Sequence, residues 1–263
     1  MATARLRGIE MAYDDEGTGV PLVLLHGFPF DRTMWRDQVA ALSDRYRVIA
    51  PDLRGLGETS LGDLPATMDE MARDIVALLD HLDLRRVILG GLSMGGYVSL
   101  AFYRRFDLRV RGLMLFDTRA QADTFEARQG REQLAQRAEN EGIEAVVEAF
   151  LPKLLAPATY EDRPEVVERL REMMMRTTPE GAAAALRGMA ARSDSTGMLD
   201  RVMAPTVVVV GSEDAITPVA DAQMLKGRTM GSRLEIIQGA GHVSNFEEPD
   251  EFNRIVSTFL ATI

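Results

Sequence analysis

The segment Gly91-Leu92-Ser93-Met94-Gly95 places a serine between two glycines with the spacing G-x-S-x-G. In this pattern a sharp turn between a strand and a helix projects the serine hydroxyl as a nucleophile, and the glycines leave room for the turn. An apolar, β-branched run over 86–90 precedes the motif and a helical pattern over 97–106 follows it. We therefore predict that Ser93 is a nucleophile, the alternative being a glycine-rich turn with an incidental serine.

A serine nucleophile needs a base within hydrogen-bond reach, and histidine suits that role best. The chain has three histidines. His81 lies within a predicted helix, as a surface or packed side chain would, and His26 follows an apolar strand, where we expect it to brace loops. His242 follows the last predicted strand in a glycine-flanked loop, at the edge where parallel sheets bind ligands. His242 is the predicted base.

The third member of such a triad is a carboxylate that fixes the tautomer of the imidazole. Asp214 follows a strongly apolar strand and precedes His242 in the chain, so it is the predicted acid. Asp117 also follows a strand and is the reserve candidate for the acid. Glu213 is adjacent to Asp214, so its side chain points elsewhere if that of Asp214 points inward. Each carboxylate taken singly is explained as a loop residue or a helix cap. The order Ser, Asp, His over three strand ends favours the triad.

Acyl transfer also requires N–H donors for the oxyanion of the tetrahedral intermediate. Met94 directly follows the serine and opens the predicted helix, so its N–H is one expected donor. The second is expected from the loop "HGFPFD", where Phe28 has an N–H and Pro29 has none.

A regular alternation of strands and helices is predicted to position these candidate catalytic residues. Apolar strands are predicted over 21–25, 47–51, 86–90, 110–116, 206–211 and 233–237. Helices are predicted over 35–42, 68–82, 97–106, 219–226 and 249–260. The alternation indicates an α/β fold with a mostly parallel sheet covered by helices on both faces, and 5–14 is expected to add an antiparallel edge strand.

The segment from 120 to 200 interrupts this alternation. It contains no evident strand, and four prolines divide a helical composition into about four predicted helices: Pro152, Pro157, Pro164 and Pro179. We therefore predict an α/β core formed by 1–119 and 201–263, with 120–200 inserted as a helical cap over the ends of the strands.

Composition narrows the classes of protein further. The 263 residues include no cysteine, which removes disulfides and thiolate chemistry, and the histidines show no metal-ligand spacing. A net charge of −10 argues against nucleic acid and anionic membranes as partners. The N-terminal residues resemble no secretory signal, so a cytoplasmic location is expected. No cofactor is predicted, and a monomer and a homodimer are both left open.

In its motif blocks the chain resembles the α/β-hydrolase superfamily. The blocks occur in order as "LLHGFPFDRTMW", "APDLRGLGETS", "GLSMGGYVSLAF", "VVGSEDAITP" and "GAGHVSNFEEP". The resemblance implies that Ser93 is nucleophile, His242 base and Asp214 acid, with oxyanion donors at Phe28 and Met94. Serine at 93 argues against epoxide hydrolases and dehalogenases, which use aspartate. The likeness is greatest to bacterial esterases and 3-oxoadipate enol-lactonases, which share the block H-x-S-N-x-E-x-P.

The function that follows is hydrolysis of small to medium carboxylic esters through an acyl-enzyme on Ser93. The same triad also serves enol-lactone hydrolysis, perhydrolysis and hydrolysis of carbon–carbon bonds. A third class is a hormone-receptor-like binding protein that keeps the fold, since fold does not imply function. The predicted partner is a small ester or lactone.

Pocket walls in such folds are mostly apolar and lie between the strand ends and the cap. Phe30 and Val243 are predicted to contact substrate beside the oxyanion donors, together with Met174 from the cap, although packing within the cap explains the methionine equally well. Four cap arginines are candidates for binding a substrate carboxylate, and solvated helix faces explain them equally: Arg171, Arg176, Arg187 and Arg192.

Overall fold

The computed structural model describes residues 1–263 and contains one eight-stranded sheet in the order β1-β2-β4-β3-β5-β6-β7-β8. The strands from β4 onward in this order are parallel, while β2 is antiparallel to both β1 and β4. The mostly parallel sheet is therefore confirmed. The strands are β1 (Ala2–Leu6), β2 (Ile9–Glu16), β3 (Val20–Leu25), β4 (Tyr46–Pro51), β5 (Val87–Leu92), β6 (Val110–Phe116), β7 (Thr206–Gly211) and β8 (Arg233–Ile237).

Helices cover both faces of the sheet. Alternate residues of β3 point to opposite faces, so that Val23 and Leu25 join one apolar cluster while Leu22 and Leu24 join another. None of the helices combines the length and the apolar composition that a membrane-spanning segment requires. The helices are α1 (Arg36–Leu42), α2 (Met68–His81), α3 (Met94–Phe106), α4 (Phe125–Glu141), α5 (Glu144–Phe150), α6 (Pro157–Asp162), α7 (Pro164–Met175), α8 (Pro179–Ala190), α9 (Val219–Arg228), α10 (Ser244–Glu247) and α11 (Pro249–Leu260).

The N-terminal segment differs from the single edge strand predicted over 5–14. It forms a hairpin of β1 and β2, whose turn places Arg7 at φ 48° and Gly8 at φ 80°. Two consecutive positive φ values match the right-handed twist of the flanking strands. Arginine is an uncommon residue at such a position, and for this reason the turn was not predicted.

Between β6 and β7, which are neighbours in the sheet, the chain forms five helices, α4 to α8, where about four were predicted. This segment lies against loops that follow other strands. The Thr177 hydroxyl donates to the Pro29 carbonyl at 2.9 Å, and the His242 N–H donates to the Leu154 carbonyl at 2.8 Å. The segment 120–200 thus contacts the loops after β3 and β8, at the carboxyl edge of the sheet.

Candidate active site

Ser93 occupies the turn between β5 and α3, with φ 53° and ψ −112°. These backbone angles are unusual for a residue other than glycine and mark a strained turn. A Cβ at Gly91 would lie 2.2 Å from the Gly95 carbonyl oxygen, and a Cβ at Gly95 would lie 2.2 Å from the Leu25 carbonyl oxygen. Both glycines are therefore needed because the turn packs directly on neighbouring backbone.

Alanine at Gly95 is expected to lower the free energy of unfolding by about 2 kcal/mol or more, because the added methyl group meets backbone atoms that have no room to move. Gly130 is the matched control, since it lies in α4 and a Cβ there meets nothing within 4 Å. Gly130→Ala should raise stability by about 0.5 to 1 kcal/mol through its helix propensity. Urea denaturation of both variants measures this, and equal stabilities would contradict the packing argument.

Three side chains from separate loops form a continuous hydrogen-bond chain. The Ser93 Oγ lies 2.8 Å from His242 Nε2, and His242 Nδ1 lies 2.8 Å from Asp214 Oδ2. All three residues are buried. They follow β5, β8 and β7, whose carboxyl ends meet at one edge of the sheet. The structure thus brings the three predicted triad residues together, with His242 between Ser93 and Asp214.

The Asp214 carboxylate is held by further donors from its own loop. The N–H groups of Ile216 and Thr217 donate to Oδ1 at 2.8 and 2.9 Å, and the Thr217 hydroxyl donates to Oδ2 at 2.7 Å. Burial acts to raise the pKa of Asp214, but the interaction with His242 and the hydrogen bonds outweigh it and leave the pKa below its ordinary value. Asp214 is therefore an anion at neutral pH and suits the stabilisation of an imidazolium.

Asp117, the reserve candidate for the acid, makes different contacts. Its Oδ1 accepts the Gly211 N–H at 2.8 Å, and its Oδ2 accepts the Ser244 hydroxyl at 2.6 Å. Burial and then the nearby charge of Asp214 raise the pKa of Asp117 well above its ordinary value. Its hydrogen bonds join the loops that carry Asp214 and His242, and none of them reaches the imidazole.

The raised pKa of Asp117 has a measurable consequence for stability. In the unfolded chain Asp117 ionises near pH 4, whereas the folded chain retains the proton to higher pH, so the native state binds more protons above about pH 4. The free energy of unfolding then falls as pH rises through this window. Asp117→Asn removes the titration yet can keep both hydrogen bonds, so its stability relative to wild type should increase between about pH 4 and pH 7. Urea midpoints across that range test this, and a difference independent of pH would contradict it.

The two predicted oxyanion donors have N–H groups that find no acceptor within the protein. Met94 is the first residue of α3, so its N–H has no acceptor within the helix, and the helix N-terminus favours negative charge there. The Phe28 N–H, in the loop after β3, donates no hydrogen bond within the protein. Both predicted donors are free to bind a ligand oxygen, and their role as oxyanion donors stays a prediction.

The two other histidines have the environments expected from sequence. His26 is buried, its Nε2 accepts the Leu53 N–H at 2.9 Å, and its Nδ1 lies 2.8 Å from the Gly27 carbonyl oxygen. Burial lowers the pKa of His26, so the neutral ring braces two loops. His81 is exposed at the end of α2.

The predicted substrate contacts lie deep in the protein. Phe30, Val243 and Met174 are each 0% exposed and belong to the apolar cluster that contains Trp35. Burial of Met174 agrees with the packing alternative. Contact of these three side chains with substrate stays a prediction.

Three of the four cap arginines already have protein partners. Arg176 pairs with Asp31, and Arg187 pairs with Glu132 and Glu139. Arg192 pairs with Asp123, and its guanidinium lies against the face of the Tyr97 ring. Arg171 is exposed on α7 and has no ion pair. The pairing of three arginines favours structural roles for them.

Glu247 is a buried residue of the site that the sequence analysis did not single out. Its carboxylate accepts the N–H groups of Gly241 at 2.5 Å and Ala156 at 2.8 Å, and the hydroxyl of Thr159 at 2.6 Å. It therefore ties the loop of His242 to the segment around α6. The glutamate of the block H-x-S-N-x-E-x-P was the available signal.

A mostly parallel sheet whose strand-to-helix turn presents a serine to a histidine and an aspartate is the architecture of α/β hydrolases. Residues 20–249 match the α/β hydrolase fold family, and the chain belongs to that family. It is 31% identical over 239 residues to 3-oxoadipate enol-lactonase 2 of Acinetobacter baylyi, covering 91% of this chain and 88% of that protein.

Solved structures are similar over the whole chain. A thermophilic esterase from Thermogutta terrifontis has a TM-score of 0.97 and 41% identity, covering 100% of this chain and 99% of that one. The enol-lactonase from Burkholderia xenovorans LB400 has a TM-score of 0.92 and 30% identity, covering 99% and 100%. The segment 120–200 is therefore included in the similarity.

Proposed function

We propose that this protein hydrolyses carboxylic esters of small to medium size through an acyl-enzyme on Ser93. The observation that carries the proposal is the unbroken hydrogen-bond chain from Ser93 Oγ through His242 to Asp214. The similarity to the Thermogutta terrifontis esterase, at 41% identity, supports an ester as substrate.

In the proposed reaction His242 Nε2 takes the proton of Ser93 as its Oγ attacks the ester carbonyl. Asp214 stabilises the imidazolium, and the N–H groups of Phe28 and Met94 bind the oxyanion. Collapse of the intermediate expels the alcohol, which receives the proton from His242. A water molecule then gives a proton to His242 and attacks the acyl group, which releases the carboxylic acid and restores the Ser93 hydroxyl.

Hydrolysis of an enol-lactone is the second candidate. It is favoured by the identities of 31% and 30% to two enol-lactonases. The same steps apply, except that the leaving oxygen stays attached to the acyl group when the ring opens. Three further alternatives require no residue beyond those of the site: perhydrolysis, carbon–carbon bond hydrolysis and a receptor on this fold. No specific observation favours any of them.

Segment 120–200 would act in this proposal as a cap that governs access to Ser93. Its contacts support that role, because Arg176 binds Asp31 and Thr177 binds Pro29, both in the loop that carries Phe28. Lids of this kind exclude water and influence which substrates reach the catalytic residues.

A fluorophosphonate probe followed by peptide mass spectrometry tests the nucleophile, and turnover of p-nitrophenyl esters tests for an enzyme. Stoichiometric modification of Ser93 is expected. Ser99→Ala is the control, because Ser99 is a buried serine in α3 whose hydroxyl donates to the Gly95 carbonyl. Labelling elsewhere with Ser93 unmodified would exclude the proposed nucleophile, and ester binding without turnover would indicate a receptor.

A further inference from the structure

The loop that carries His242 packs directly on the backbone of residues 154–156. The His242 N–H donates to the Leu154 carbonyl at 2.8 Å. A Cβ at Gly241 would lie 2.6 Å from the Ala156 nitrogen, so the two backbones leave no room for a side chain between them. The position of the imidazole therefore depends on a segment that lies outside the α/β core.

The side chain of Glu247 joins the same two segments and is buried. One carboxylate oxygen, Oε2, accepts the Gly241 N–H at 2.5 Å. The other, Oε1, accepts the Ala156 N–H at 2.8 Å and the Thr159 hydroxyl at 2.6 Å. The two oxygens thus serve two segments, one that leads directly into His242 and one at the start of α6.

No cation neutralises the Glu247 carboxylate directly. Arg163 donates to the Glu247 carbonyl at 2.7 Å and to the Thr159 hydroxyl at 2.8 Å, and it pairs with the carboxylate of Glu248. Burial raises the pKa of Glu247 in spite of its three donors. A buried carboxylate without an ion pair costs stability, and what it supplies in return is an acceptor at two positions at once.

We propose that Glu247 is a positioning residue for His242. By holding Gly241 against the start of α6, it fixes the loop from which the imidazole reaches Ser93 Oγ at 2.8 Å. The inference rests on the proposed ester hydrolysis, in which His242 is the base. It gives the residues around α6 a part in the rate of proton transfer as well as in the access of substrate, because a general base must be correctly placed to act.

Glu247→Gln should break this bridge on the side of the histidine loop. The Thr159 hydroxyl already accepts a hydrogen bond from Arg163, so its own hydrogen needs an acceptor, and the glutamine oxygen supplies one. The glutamine nitrogen then takes the place of Oε2 and faces the Gly241 N–H, which is also a donor. We expect kcat to fall about 10- to 100-fold with KM within about 2-fold, because the base is displaced while no substrate contact is removed.

Two further variants separate positioning from a general loss of stability. Glu248→Gln is the matched control, because it makes the same change in the next residue, whose partly exposed carboxylate pairs with Arg163, and kcat should stay within about 2-fold. Thr159→Val removes one of the three donors to Glu247 and should lower kcat roughly 2- to 5-fold. Each variant is assayed with a p-nitrophenyl ester below its melting temperature. If Glu247→Gln does not fold, an unchanged kcat in Thr159→Val overturns the proposal.

Nitrogen-15 NMR of histidine-labelled protein gives a readout that reduced stability alone does not move. The chain has three histidines, and the rings of His26 and His81 are internal references because neither is hydrogen-bonded to the loop of His242. In Glu247→Gln the ring signals of His242 should shift as its hydrogen bonds within the triad change, whereas the signals of the other two histidines should not.

The outcomes distinguish the positioning role from the proposed hydrolysis. Unmoved ring signals of His242, a loss in kcat below about 3-fold in Glu247→Gln, or an equal loss in Glu248→Gln would overturn the positioning role. Absence of ester turnover by the wild-type protein would contradict the proposed hydrolysis. A selective shift of the His242 signals in Glu247→Gln would still support the positioning of the imidazole in that case.

Discussion

Alanine at Ser93 or at His242 is expected to lower kcat by about 10⁴- to 10⁶-fold, because each variant removes the nucleophile or its base from a unit that works only when complete. The 2.8 Å contact between Ser93 Oγ and His242 Nε2 is the structural reason. Without the imidazole the hydroxyl keeps its proton, and without the hydroxyl no acyl-enzyme forms. The activity that remains would come from substrate binding and from the oxyanion donors.

Steady-state hydrolysis of a p-nitrophenyl ester measures this loss, and the double variant gives a second readout. It should be about as impaired as either single variant, since residues of one catalytic unit are not additive. His81→Ala is the control, because His81 is exposed at the end of α2. A loss below about 10-fold in Ser93→Ala would show that another group performs the attack.

Strands buried on both faces were the most predictable elements of the fold. The predictions for β6 and β7 match their observed bounds, because parallel strands covered by helices read as continuous apolar runs. The bounds of β8 also match, although this edge strand is largely accessible to solvent. The β1–β2 hairpin was missed, since its turn places arginine at a positive φ. Local preference alone does not identify such a turn.

The helices of segment 120–200 were likewise only partly predictable from local sequence preferences. Pro157, Pro164 and Pro179 each begin a helix, as a residue that lacks an N–H suits the first turn. Pro152 instead lies in a short 3₁₀ turn, and α5 begins shortly after Gly142, which has φ 95°. The sequence therefore predicted where most helices of this segment begin but not how many helices it forms.

The candidate triad was predictable because its chemistry admits few residue types and the chain has three histidines. The supporting contacts were not, since they join distant segments. Glu247 binds Ala156, which is 91 residues away. Whether a polar side chain is free or already paired depends on such contacts, and sequence spacing does not report them.

The second large effect is expected at the acid of the triad. Asp214→Asn should lower kcat by up to about 10⁴-fold while the fold stays intact. The N–H groups of Ile216 and Thr217 both donate to Oδ1, so an amide oxygen takes that position and the amide nitrogen takes the position of Oδ2, 2.8 Å from His242 Nδ1. The amide then donates to Nδ1, which places the ring proton on Nε2 and leaves no lone pair to accept the Ser93 proton.

Asp117→Asn is the matched comparison, because it makes the same change at the other carboxylate of this buried pair. Its oxygen can still accept the Gly211 N–H, its nitrogen can donate to the Ser244 hydroxyl, and neither atom of Asp117 is hydrogen-bonded to His242. We therefore expect a loss in kcat within about 10-fold, together with the altered pH dependence of stability. Ester hydrolysis by the two variants, each checked by thermal melting, decides between the carboxylates. A large loss in Asp117→Asn with near wild-type rates in Asp214→Asn would transfer the role of the acid to Asp117.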